Sequence, residues 1–163
     1  MVTSSSKAAR SSLPSHVESR VKQEFPGEEI RLFQYTNLHY PGHFGDAWLV
    51  VTDRQVAVFR QERDGLRLSS QFPLEDIEEV TIREVVGNGR LCVRTPGKNV
   101  ILVRFTRSLT HHVGETARRL TLLATERRST MGRGETTLKG DLGEGRKVRC
   151  PLCGRALSRD GVC

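Results

Sequence analysis

From Glu28 to Thr106 short apolar runs alternate with turn signals, and this rhythm limits the fold more than any other feature of the chain. Asp53-Arg54, Asp64-Gly65, Gly87-Asn88-Gly89 and Pro96-Gly97 each fall between two runs of strand length. Asp-Gly is the strongest short hairpin signal among them. The first strand begins with Ile30, Leu32, Phe33 and Tyr35, and Asn37 to Gly45, with Pro41-Gly42, reads as a loop. Asp46 to Thr52 is a buried strand and Gln55 to Gln61 its hairpin partner. Leu66, Leu68 and Ser70 alternate along the next strand, which Phe72-Pro73 ends. Ile77 to Val86 follows, with Val80, Ile82 and Val85 inward, and Leu91 to Thr95 and Asn99 to Phe105 form a last pair. About seven short strands at this spacing predict a mainly β domain, a sandwich or barrel.

The period differs at both ends. Val17, Val21 and Phe25 lie four apart and predict a short helix over 16–25, stopped by Pro26-Gly27. Ser15 and Glu18 have the spacing of a capping box at its start. Leu109, Val113, Ala117, Leu120 and Ala124 form one apolar stripe over 108–128, with Thr106 or Ser108 able to cap it. A stripe that long must bury against something, and the open end of the barrel is the expected place. Met1 to Ser12 is rich in Ser, Ala and Lys with no apolar core, so it is no secretory signal. The expected organisation is a disordered leader over 1–13, a domain over 14–128, a glycine-rich basic linker over 129–149 and a cysteine knuckle over 150–163.

Apolar residues make up 36% of the 163 and aromatics 6%, too few for the whole chain to be core. The longest apolar run, Ala47 to Val51, is far short of the roughly 18–20 residues of a membrane-spanning helix. The formal charge of +7 suits an acidic partner, an anionic bilayer or nucleic acid. Nucleic acid is disfavoured, because the few aromatics fall at core positions and leave no stacking platform. Cys92 stands alone in a strand, read as core, while Cys150, Cys153 and Cys163 crowd the C-terminus. That is no disulfide framework and points to a reducing, cytoplasmic setting.

Two segments carry a family resemblance. Trp48-Leu49-Val50-Val51-Thr52-Asp53-Arg54-Gln55-Val56-Ala57-Val58-Phe59 resembles a hairpin of the pleckstrin-homology-like superfold in its bacterial, GRAM-like forms. Phe72-Pro73-Leu74-Glu75-Asp76-Ile77-Glu78-Glu79-Val80 is similar to its step into the next strand. The resemblance covers about 14–128 and implies a seven-stranded barrel or sandwich capped by a C-terminal helix. Its members bind phosphoinositides, peptides or nothing known, so fold alone names no ligand. The longer arrangement resembles the N-terminal region of certain bacterial ABC transporters, in which a basic linker and a Cys-Pro-x-Cys-Gly-Arg ribbon follow such a domain. Cys150-Pro151-Leu152-Cys153-Gly154-Arg155 matches the first knuckle, and Asp160-Gly161-Val162-Cys163 looks like the start of the second. ATP hydrolysis would then lie in a downstream region, and a cytoplasmic face of the inner membrane would be its place.

Cys150 and Cys153 can grip one edge of a zinc ion, with Cys163 as third thiolate, and a complete ribbon needs a fourth ligand. Gly140 to Lys147 has the glycine gap of a phosphate loop but no Ser/Thr after the lysine and no flanking strand and helix, so it reads as linker. His39, His43 and Asp46 share the expected loop and read as solvated rather than catalytic. His111 and His112 open the long helix and should be exposed. No serine or cysteine stands in a nucleophile elbow. Arg54, Arg60, Arg63 and Arg67 bracket a hairpin, and Arg127, Arg128, Arg146, Lys147 and Arg149 make the helix end and linker basic. These nine are the candidate anionic-surface contacts. The sequence therefore predicts a non-catalytic interaction module, whose partner is a protein, the rest of its own polypeptide, or an anionic membrane. The alternatives are a standalone lipid- or protein-binding adaptor and, less well supported, a nucleic-acid-binding ribbon protein.

Overall fold

The structure, a computed structural model, describes residues 12–40 and 43–133. The expected leader up to residue 11, the three C-terminal cysteines and the basic residues from Arg146 onward lie outside the described residues.

Helix α1 spans Ser15–Glu24 and buries Val17, Val21 and, just past its end, Phe25, the face expected from their spacing. Its start differs from the expected capping box. Pro14 holds the cap position, and its carbonyl accepts the amides of Val17 and Glu18, both at 3.0 Å. Ser15 is thereby drawn into the first turn, and the Glu18 carboxylate accepts from Lys22 Nζ at 2.7 Å instead of reaching back.

Seven strands follow: β1 (Ile30–Tyr40), β2 (His43–Thr52), β3 (Gln55–Glu62), β4 (Gly65–Pro73), β5 (Glu79–Val85), β6 (Asn88–Thr95) and β7 (Lys98–Thr106). They form one antiparallel sheet in the order β4-β3-β2-β1-β7-β6-β5. Gly65, Gly87 and Gly97 take positive φ (123°, 79° and 80°) in the three turns the sequence marks with glycine. The expected loop over 37–45 is mostly strand. β1 and β2 run on as a hairpin, with Thr36 opposite Ala47, Leu38 opposite Phe44 and Tyr40 opposite His43. Pattern alone misplaces it because register shifts interrupt the alternation there.

The sheet is not closed, which corrects the expectation of a barrel. β4 and β5 are its two edges. At the seam in the middle, β1 pairs with β7 only through Leu38 and Arg104. Beyond Thr106 the chain leaves the sheet through a 3₁₀ turn (Arg107–Leu109) into helix α2 (Thr110–Arg133). The Thr106 amide is held by Asn37 Oδ1 at 3.2 Å, and the Thr106 and Ser108 hydroxyls bond each other at 2.8 Å rather than capping the helix. The helix runs through residues 129–133, past the expected start of the linker.

The apolar stripe of α2 is buried at all five expected positions. It packs on the 3₁₀ turn Leu74–Asp76, on β5 and on β1. One core lies here, where Leu49, Val51, Val56, Val58, Leu91, Val103 and Phe105 meet α2. A second core lies on the other face, where Trp48, Val50, Ala57 and Phe59 meet Val17, Val21 and Phe25. β2 and β3 are thus buried on both faces, which explains their unbroken apolar runs. β4 serves both cores through a bulge. Val58 pairs with Ser70 but Phe59 pairs with Leu68, so Ser69 is an extra residue. Phe72 therefore faces the α2 core while Leu66 and Leu68 face the α1 core, although all three share one parity in the sequence. Val85, expected inward, is half exposed.

Candidate interaction surfaces

The seam between β1 and β7 opens into a groove. Because β7 ends at Thr106, the N-terminal half of β1 has no strand on its β7 side among the described residues. A cavity of about 490 Å³ lies there, lined by the consecutive residues 30–35 of β1, by Leu13 ahead of α1 and Glu18 within it, by Leu109 of the 3₁₀ turn, and by His112 and Arg119 of α2. Consecutive strand residues alternate between faces, so six in a row make the strand's edge, not one of its faces, the wall. A neighbouring cavity of about 350 Å³ shares Ile30, Arg31 and Arg119 and continues along α2 past Leu122 to Glu126. Leu122 is exposed at 63%, the one large apolar side chain of this groove open to solvent.

Polar contacts set the shape of the groove. Gln34 Oε1 accepts the buried Thr116 hydroxyl at 2.9 Å, and Gln34 Nε2 donates to the Tyr35 carbonyl at 2.7 Å. One amide thus fixes α2 against β1. Arg31 is held by Glu29 at 3.1 Å, whereas Arg119 forms no ion pair among the described residues. Neither groove arginine belongs to the sequence-predicted contacts. Their meeting depends on α2 crossing β1, which spacing along the chain does not report.

The structure disperses the predicted arginines. Arg54 stands at one end of β3 and Arg60 at the other, about 20 Å away at strand rise. Arg54 lies 3.8 Å from Asp53, Arg67 3.5 Å from Glu62 and Arg127 3.9 Å from Glu75. Arg60 and Arg67 face each other across β3 and β4, with Arg63 in the turn between. Arg128 is exposed near the end of α2. The exposed Arg54 and Arg67 pairs contribute little, on the order of 0–1 kcal/mol each, while Arg127 and Glu75 are half-buried. Arg54 sits on a firmly built turn, where the buried Thr52 hydroxyl donates to Glu28 at 2.5 Å and accepts the Gln55 amide at 3.0 Å.

The histidines and Asp46 are placed differently from the expected loop. His39 lies in β1, its Nε2 3.0 Å from the Asp46 carbonyl. Its ring fills the space over Gly45, where a Cβ would meet it at 2.6 Å. The Asp46 carboxylate accepts the Tyr35 hydroxyl at 2.6 Å. His111 and His112 are exposed, as expected. Cys92 is a free thiol on a half-buried strand position, less enclosed than the core reading implied. No group of three metal-ligating side chains occurs among the described residues, and none of the described helices is long and apolar enough to cross a membrane. No protein-family model matches the chain, and no curated protein matches it.

Proposed function

We propose that the chain is a non-catalytic interaction module of the pleckstrin-homology-like type, which binds an extended polypeptide segment along β1. The observation that carries this reading is the groove between α1 and α2, walled by a strand edge without a neighbouring strand. Such an edge offers backbone donors and acceptors to an added strand, and flanking side chains supply selectivity. Leu122 and Arg119 supply one apolar and one cationic contact on the α2 wall. The strand order, the single C-terminal helix and the Thr52-Asp53-Arg54 turn support the fold-family part of the reading.

Selection of random peptides on the purified protein tests the site. Extended binders are expected, with affinity lost at least tenfold in Leu122→Glu while the thermal melt is unchanged. An absence of binders, or binders indifferent to Leu122→Glu, would overturn the groove.

The same reading places this module at the head of a longer polypeptide, an ABC transporter ATP-binding protein with the ribbon between. Cys150, Cys153 and Cys163 would then be three of the ribbon's zinc ligands. Native mass spectrometry of the protein from its source cells reads both points at once. The expected species is several times heavier than 18.3 kDa and carries zinc. A metal-free species of 18.3 kDa would leave the adaptor in the transporter's place.

A further inference from the structure

The outer face of the second half of the sheet carries a row of arginines with no carboxylate paired to them among the described residues. Arg83 of β5 lies directly opposite Arg90 of β6, and Arg90 lies directly opposite Arg104 of β7. Directly opposite residues share a face and stand about 4.5–5.5 Å apart at Cα. That face points away from the α2 core, because Ile82, Leu91 and Val103, the alternate positions, point into it. Like charges placed opposite each other cost stability. Among the described residues none of the three arginines forms an ion pair. Arg94, further along the same face, is held by both Glu78 (3.1 Å) and Glu79 (2.8 Å). Carboxylates are therefore supplied at one end of the face and withheld at the other.

The bare end carries a second feature. The next row is Val85, Asn88 and Thr106, and beyond it the chain turns at Val86-Gly87. Val85 is 50% exposed and Val86 100%. Arg107 stands beside this turn across a small cavity and is itself unpaired among the described residues. Glu84 alternates to the opposite side of β5 from Arg83 and Val85 and lines the cavity beside Arg107.

We infer that this face docks on an anionic lipid bilayer, with the Val85-Val86 turn entering the headgroup region and Arg83, Arg90 and Arg104 against the lipid phosphates and carboxylates. Cations around an exposed aliphatic tip fit a surface that is anionic outside and apolar beneath. A nucleic-acid strand would use the cations but has no use for the valines, and the arginine row, continued through Leu38, meets a single exposed aromatic ring, Phe44, rather than a stacking platform. The contact is independent of the β1 groove and survives the failure of that reading.

Co-sedimentation of the full chain with vesicles of phosphatidylcholine, with and without about a third phosphatidylserine, tests the inference. Binding is expected only with phosphatidylserine. Each arginine near the surface contributes about fivefold, so the triple variant Arg83→Ser/Arg90→Ser/Arg104→Ser should lose about a hundredfold. Its thermal melt should hold or rise, because like-charge repulsion is removed. Val85→Ser/Val86→Ser should abolish the fraction of binding that resists high salt. Wild-type binding that the triple variant retains in full would overturn the inference in favour of the basic residues outside this face. No vesicle binding, with duplex DNA or RNA retarded in a gel and released by the triple variant, would overturn it in favour of nucleic acid.

Discussion

Replacing Trp48 with alanine is expected to cost about 3–5 kcal/mol, more than any other single truncation on the α1 side of the sheet. The indole is 2% exposed and lies opposite Tyr35 on β1 and Phe59 on β3. His16 of α1 meets it edge-on at a centroid distance of 5.7 Å, and Tyr35 meets it tilted at 6.0 Å. Helix α1 has ten residues, too few to be stable without packing. The substitution therefore opens a cavity and removes the surface on which the helix is ordered. Urea unfolding gives the free energy, and amide exchange gives its distribution. Amides of 18–24 should lose protection first and those of β6 last. A loss under about 1 kcal/mol would show that the helix is held by something else. Trp48→Phe should cost much less, because the buried indole Nε1 has no hydrogen-bond partner among the described residues and its removal leaves no polar group stranded.

Gly89→Ala is the second substitution with a large expected effect, and its cause is space rather than backbone freedom. Gly89 is buried on β6 opposite Phe105 of β7. A Cβ at this position would meet the Phe105 ring at 2.3 Å. Phe105 is fully buried within the α2 core, so its ring has nowhere to retreat. Overpacking of this kind costs about 1–3 kcal/mol. The double variant Gly89→Ala/Phe105→Leu should recover part of the loss, giving a coupling of about 1 kcal/mol or more in a double-mutant cycle. Strict additivity of the two would mean that the ring and the new methyl never compete.

What was legible in the sequence followed from local rules. The α2 stripe and the buried face of α1 follow from spacing because a 3.6-residue period is fixed within one helix. The glycine turns were legible for the same reason, since Gly65, Gly87 and Gly97 answer to their own φ. The misses, apart from the local one at the start of α1, involve a second element. The capping box failed because Pro14 offers its own carbonyl to the first turn. The 37–45 loop became hairpin because its register shifts hide the alternation. The barrel stayed open because β7 ends at Thr106, a decision no period records. The arginines show the same division. Proximity in sequence drew Arg54, Arg60, Arg63 and Arg67 together, yet Arg54 is a strand length from the rest. Arg83, Arg90 and Arg104 look scattered along the chain, and only the register of three strands aligns them.

The length of α2 has a mechanical consequence. The last ion pair it forms with the body among the described residues is Arg127 beside Glu75, yet the helix continues to Arg133. Six further residues at helical rise make a stalk of about 9 Å. Arg133 is thus the tip of a stiff rod whose direction the domain sets. The exit point is held about 9 Å from the packed body in a fixed direction, and shortening the rod would draw it in without altering the body.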